Sequence, residues 1–381
     1  MPLVDREEYL EQIKTLVNID SGSFYPEGIN RVADQLARWY EELGWVIRRH
    51  DLGSKTGVLL EISNRPAEHY DVMFVGHMDT VFPEGAAAQR PFSAKGENAY
   101  GPGVGDMKNG DVAMLQIARH LKPEVLEKLN ICMAYNPDEE IGSIYSKEKL
   151  DEIGRRSDYV YVMESCEDEG THCFGRKGLM RYELNFHGRA AHAGFMFERE
   201  NASAILEMGH YIVTLMGLSS KENGTTVNVG VVKGGTAVNV VADHAQLCVE
   251  MRFKKESEHE RLKAEMDRLL LGDPFVKGVK VSVVSCEVIP AWSKSEEEAK
   301  HAACMEQLAK KMGIPFRQQD RGGVSDVNHL ALCGCICSDG MGPHGALDHS
   351  ENEYSMVNSI EPCVQLLCSV LEVQAERKGK L

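Results

Sequence analysis

The chain has no apolar run approaching the roughly 18 residues that a membrane-spanning helix needs. Its first residues, MPLVDREEYLEQIKTLVNID, lack the positive start and apolar stretch of a secretory leader. Charged residues scattered there among Leu, Ile and Val at helical spacing predict a surface helix instead. Positive charge is in deficit, with 42 Lys and Arg against 58 Asp and Glu, a net charge of −16. Such a field repels phosphate backbones and anionic lipid, so neither nucleic acid nor membrane is expected as a partner. No repeat or low-complexity tract interrupts the chain. Cysteine is not scarce: 11 of them, an odd number without secretory features, lead to the expectation of free thiols and a cytoplasmic location.

At 381 residues and 43% hydrophobic content the chain exceeds one ordinary domain and predicts two. The first part alternates helix and strand. GINRVADQLARWYEELG places Val32, Leu36, Trp39 and Leu43 on one helical face before a glycine stop. Strands follow at Trp45–Asp51, Gly57–Ile62, Asp71–Gly76, Asn130–Asn136 and Tyr159–Met163, with a helix at Asp111–Leu121. This alternation predicts an α/β fold with a sheet covered by helices. From about Gly175 the texture changes to strand, helix (residues 198–217), two strands, helix (EHERLKAEMDRLL) and strand, the order of a ferredoxin-like α+β sandwich. A helix over Glu296–Met312 then resumes the first texture, so the smaller domain is inserted in the larger. The expected division is residues 1–176 and 291–381 for the larger domain and 177–290 for the insert. Cys333, Cys335 and Cys337 alternate in ALCGCICSDG and predict a buried strand rather than a soft-metal site.

The residues that carry chemistry follow strand ends, where ligands collect in α/β sheets. In DVMFVGHMDTVFPEG, His77 lies just past a buried strand with Asp79 two residues on, close enough to fix an imidazole ring. HxD alone also fits an incidental loop. In YGPGVGDMKNGDVAML, glycines release the backbone around Asp106, which either caps the next helix or bridges two ions. NICMAYNPDEEIGS delivers Glu139 and Glu140 side by side, a repulsive arrangement unless cations are near. YVYVMESCEDEG ends a strand at Glu164, and Glu167, Asp168 and Glu169 beyond it suit a solvated loop. GPHGALDHSENEY offers His344 and His349, either of which fits as a ligand on spacing alone. Imidazoles with carboxylates make a mixed nitrogen and oxygen set suited to zinc, with cobalt or manganese as substitutes.

The succession HMDTV, GPGVGDMKNG, DEE, ME and HS resembles the aminoacylase and glutamate carboxypeptidase (carboxypeptidase G) family of dinuclear zinc hydrolases, which also includes deacylases, desuccinylases and small peptidases. The resemblance covers nearly the whole chain. It implies a zinc-peptidase catalytic domain with an inserted lid and dimerisation domain, and two Zn2+ per subunit. His77, Asp106 and Glu164 would hold one ion and Asp106, Glu140 and His349 the other. Asp106 would bridge, Asp79 would orient His77, and Glu139 would act as general base on a water shared by the ions.

In the insert, His192 of LNFHGRAAHAG matches a family histidine that reaches a neighbouring active site. Asn239 and Arg252 match substrate-binding positions, Arg252 gripping a carboxylate. A salt bridge on the strand surface is the alternative for Arg252. His187 suits a structural role. HAGFMFERENA and Ala242 depart from the family pattern where relatives often carry proline. In GGVSDVNHLA, Gly322 and Gly323 permit close backbone approach, and Asp326 either orients a loop or caps a helix. Taken together, the resemblance implies hydrolysis of a peptide or N-acyl amide beside a free carboxylate, with a carboxypeptidase first and an N-acyl amino acid deacylase second. A catalytically silent binding protein would lack a ligand or Glu139. Long strands and an amphipathic helix in the insert suit pairing of two copies into a homodimer.

Overall fold

The computed structural model describes residues 2–166 and 169–378, so the acidic turn expected at Glu167 and Asp168 lies outside the described residues. The chain forms two compact units. The larger comprises residues 1–174, 294–320 and 325–381, and the smaller residues 175–293 with 321–324.

The larger unit is built on a six-stranded mixed sheet. Its strands lie in the order Val46–His50, Leu59–Ser63, Ile131–Asn136, Tyr70–His77, Ser157–Val162 and Ile336–Ser338. The last four run parallel and the first two antiparallel. Every residue of Leu59–Ser63, Tyr70–His77 and Ile131–Asn136 is buried, the pattern of strands covered on both faces. Helices Pro26–Glu42, Asn109–His120, Lys147–Gly154 and Glu296–Met312 pack on the sheet. Glu296–Met312 starts with a reciprocal cap between Ser295 and Glu298 and stops at the left-handed Gly313. Parallel pairing sets His77 beside Asn136 and Val75 beside Val162. Three neighbouring strands therefore release their chains at one edge, immediately before Met78, Pro137 and Met163.

Two local expectations change. The alternate cysteines do not share one strand: Gly334, at φ 88°, breaks the chain after a 3-10 turn at Ala331–Cys333, and pairing begins at Ile336. Cys335 and Cys337 are buried there as small core residues. The helix expected over residues 198–217 begins at Ala204. Asn201 binds the carbonyls of Met196 and Arg199 (2.6 and 2.9 Å) and turns the chain, and Ser203 then caps the Leu206 N–H at 3.2 Å.

The smaller unit has strands Gly178–His187, Thr226–Gly234, His244–Phe253 and Lys280–Ile289 with helices Ala204–Met216 and Glu256–Leu271, the strand-helix-strand-strand-helix-strand order. The sheet is antiparallel, with the second strand in sequence at one edge and the fourth at the other, as in a ferredoxin-like fold. It has its own core, in which Phe186 meets Tyr211 edge to face at 5.0 Å. Phe186→Ala removes a fully buried ring and is expected to cost about 3–5 kcal/mol. A urea midpoint indistinguishable from wild type would show that Phe186 does not anchor this core.

Candidate active site

At the shared strand edge, His77 is buried and held from one side. Its Nδ1 lies 3.0 Å from the backbone carbonyl of Asp79 and 3.4 Å from the Asp79 carboxylate. A carbonyl accepts only, so Nδ1 carries the proton and Nε2 is left for a ligand. Nε2 faces Asp106 Oδ1 at 3.0 Å and Glu164 Oε1 at 3.6 Å. The other oxygen of Asp106, Oδ2, lies 3.0 Å from His349 Nε2, which also meets Glu140 Oε2 at 3.1 Å. Asp106 thus offers one oxygen to each imidazole, and makes no side-chain cap to the helix beginning at Asn109. His344 is elsewhere, with its Nδ1 2.8 Å from the Cys166 carbonyl.

Asp79 does more than orient a ring. Fully buried, it accepts the Glu139 N–H on Oδ1 (3.0 Å), and on Oδ2 the Glu140 N–H (3.1 Å) and the Ser23 hydroxyl (2.7 Å). The two adjacent glutamates are therefore fixed by their backbone to the residue that fixes His77. His349 sits at φ 62°, a strained conformation for a non-glycine residue and one common at functional sites.

The donor set fits divalent cations. Ligand atoms of His77, Asp106 and Glu140 lie within 4.8 Å of one another, as do those of His77, Glu139 and Glu164. Glu140 Oε1 is buried with no hydrogen-bond partner among the described residues. Burial raises the Glu139 and Glu140 carboxyls above the usual range, and neighbouring carboxylates add to the rise. Hydrogen bonds to Asp106 and Glu140 pull His349 up to about 11. Burial opposes charge on His77, yet bonds to Asp106 and Asp79 outweigh it and raise that imidazole too. These four groups are perturbed in the direction that a missing positive charge produces, whereas at Asp106 the bonds from His349 and His77 outweigh burial and hold the carboxyl below the usual range.

Beneath Glu139 and Glu140 lies a polar network that sequence reasoning touched only at Asp326. Asp326 is buried and makes no side-chain cap to the short helix Val327–Leu330. It accepts from the Ser143 hydroxyl, from Asn136 Nδ2 at 2.6 Å and from His329 Nε2 at 3.1 Å. His329 Nδ1 continues to Asp151 at 2.5 Å. Asn136 ends the strand before the two glutamates and Ser143 follows them, so the network grips their turn at both ends.

In the smaller unit, His192 and Asn239 are both exposed. His192 pairs with Val240, and the Ala193 N–H donates to the Asn239 carbonyl at 2.9 Å, which makes them neighbours on a two-stranded ribbon. Arg252 donates to Glu250 at 2.7 Å and to the Gly322 carbonyl at 2.6 Å, so the strand-surface salt bridge is present. His187 is exposed, with its ring 5.4 Å from that of His244.

Comparison with known proteins agrees with this chemistry. The model of peptidase family M20/M25/M40 matches residues 73–373. Carboxypeptidase G2 of Pseudomonas sp. strain RS-16 is 27% identical over 359 residues, 92% of this chain and 85% of the relative. A succinyl-diaminopimelate desuccinylase of Nitrosococcus oceani is 23% identical over 357 residues, 89% of this chain and 92% of the relative. Among solved structures, the aminopeptidase PepT of Bacillus cereus shares the fold with a TM-score of 0.79 at 23% identity, covering 98% of this chain and 100% of that one.

The network has a pH signature. Burial opposes charge on His329, but bonds to Asp151 and Asp326 win and raise it from 6.5 to about 9. A group raised on folding contributes stability that is complete below about 6.5 and lost as pH rises through about 9. The stability difference between wild type and His329→Gln is therefore expected to shrink between pH 6 and pH 10 by on the order of 3 kcal/mol. Urea titrations at each pH measure it, and a pH-independent difference would exclude a charged His329.

Proposed function

The chain belongs to peptidase family M20/M25/M40, a family of metal-dependent hydrolases, and from that membership we propose that it cleaves a peptide or N-acyl amide next to an amino acid with a free carboxylate. The observation that carries this reading is Asp106, one oxygen toward each imidazole, beside two glutamates tethered through Asp79. His77, Asp106 and Glu164 would hold one zinc ion, and Asp106, Glu140 and His349 the other. Such ions supply Lewis acidity that polarises a carbonyl and acidifies water. Glu139 takes the proton of the attacking water and passes it to the leaving nitrogen, a task that asks for reach rather than ligation. Its tethered backbone suits that shuttle. Asp79 keeps the Nδ1 proton on His77 and holds Glu139 in register with it.

Arg252, fixed by Glu250 and the Gly322 carbonyl, is assigned the substrate carboxylate, and Asn239 another polar group of the substrate. Carboxypeptidase G2 as a relative favours a carboxypeptidase, and the resemblance to the glutamate carboxypeptidase family points to an acidic C-terminal residue. The desuccinylase relative, matched over a similar share of the chain, supports deacylation as the second reading. A homodimer is supported by apolar side chains exposed on the smaller unit: Ile205, Leu206, Val213 and Met216 on the helix Ala204–Met216, and Val231 and Val232 on the edge strand Thr226–Gly234. In that dimer His192 serves the partner's site as an oxyanion donor.

Three outcomes test these assignments. Glu139→Gln is expected to retain both ions yet lose about 10²–10⁴ in kcat, whereas Glu140→Ala loses one ion. Elemental analysis with kinetics on a panel of C-terminal glutamate dipeptides and N-acyl amino acids checks this, and wild-type turnover by Glu139→Gln would remove it as the base. The same panel separates the two substrate readings. Inactive His192→Ala and Glu139→Ala variants, mixed under conditions of proven subunit exchange, should recover roughly a quarter of wild-type activity if His192 acts across the dimer. No recovery would return His192 to its own subunit.

A further inference from the structure

Glu353 lies four residues beyond His349 and is 1% exposed. Among the described residues its carboxylate bonds no side chain of the proposed ligand set, and all three of the carboxylate's hydrogen bonds go to the turn that carries Asp106. Oε1 accepts the N–H groups of Gly105 (2.7 Å) and Asp106 (2.9 Å), and Oε2 accepts that of Gly103 (3.1 Å). The strand Tyr354–Met356 delivers it by pairing with Asn98–Tyr100, so its position is set by a ladder rather than by a loose loop. The glycines of GPGVGD make room for the contact. Gly103 adopts φ 72°, and a Cβ at Gly105 would stand 3.1 Å from both the Tyr354 carbonyl and Asp348 Oδ1. Buried N–H groups need acceptors, and three turned toward one point form a nest for an anion.

We propose that Glu353 is the positioning residue for Asp106: by clamping the backbone N–H groups of Gly103, Gly105 and Asp106 it sets the turn so that the Asp106 oxygens face His77 and His349 at the same time. The inference rests on the reading of Asp106 as the shared ligand. Without the clamp, the turn rotates, Asp106 keeps one imidazole and loses the other, and the ion held by the lost pair is weakened. The same carboxylate also links the Asp106 turn to the segment carrying His349, so the two sides of the second ion move together.

Glu353→Gln keeps size and one acceptor oxygen, but its amide group faces at least one backbone N–H, donor against donor. Competition of the full-length protein with a zinc chelator is expected to show two ions bound by wild type. In the variant one ion should be held about 10–100-fold more weakly, the range typical when a group supporting a ligand is lost. The absorption spectrum of the cobalt-loaded variant should change, and kcat should fall at limiting metal with KM within about twofold, because Glu353 does not meet substrate. A purely structural Glu353 would lower the urea midpoint of the metal-free protein while leaving metal affinity and the cobalt spectrum as in wild type. That result overturns the proposal. Should Glu353→Gln fail to fold, Glu353→Asp keeps the charge on a shorter arm. Weakened zinc binding by Glu353→Asp supports the clamp, and wild-type affinity rejects it. Wild type binding only one ion would instead overturn the shared role of Asp106, which the stoichiometry of the unmodified protein reveals by itself.

Discussion

Asp79 is the contact on which the larger unit's chemistry depends. A carboxylate with no exposure is costly unless its oxygens are satisfied, and here they are met by Ser23 and by the backbone N–H groups of Glu139 and Glu140. The same residue's carbonyl selects the His77 tautomer. One buried acid therefore ties two neighbouring strand ends into a single rigid corner. Parallel pairing of Tyr70–His77 with Ile131–Asn136 supplies the coarse alignment, and Asp79 the fine one. Carboxylates that would separate in solution are held together by bonds to their backbones, which leaves their side-chain oxygens for cations.

Support repeats outward on the same plan. Asp326 braces the turn after Asn136 through Ser143 and Asn136, and Glu353 braces the turn before Asp106 through three N–H groups. In each case the bracing acid comes from a segment distant in sequence and meets backbone or neutral polar groups, with His329 in addition at Asp326, and bonds no side chain of the proposed ligand set among the described residues. The strain at His349 fits this picture, since a left-handed residue persists only where its surroundings hold it.

The sheet and the ferredoxin-like order were legible because each leaves a local trace, whereas the choice of His349 over His344 came only from the family resemblance. Strand ends are marked by apolar runs that stop at His77, Asn136 and Met163, and adjacent glutamates have few structural uses. The braces were not legible. Glu353 in HSENEY looks like one more surface acid, and only the three glycine-freed N–H groups 250 residues earlier in the chain show what it accepts. A hint existed in GPGVGD, whose glycines permit a close approach without naming the partner. Ser23, His329 and Asp151 carry no local signal at all, because their roles depend on distant pairing. The helix expected from Glu198 failed for a local reason that was available: Asn201 and Ser203 prefer to bind backbone outside a helix.

Substrate identity sits on different physics from catalysis. Water attack on an amide, with a shared proton shuttle, is indifferent to whether the acyl side is a residue or a succinyl group, so one metal-facing corner serves carboxypeptidases and desuccinylases alike. Selection must come from groups that touch the parts of the substrate away from the scissile bond. In this chain the proposed candidates for that work, Asn239 and Arg252, both belong to the smaller unit. Asn239 is exposed beside a short ribbon, and Arg252 is already paired with Glu250. In the proposed role, an arginine so paired holds its remaining in-plane N–H donors in one direction before a ligand arrives, which lowers the entropy lost on binding a carboxylate.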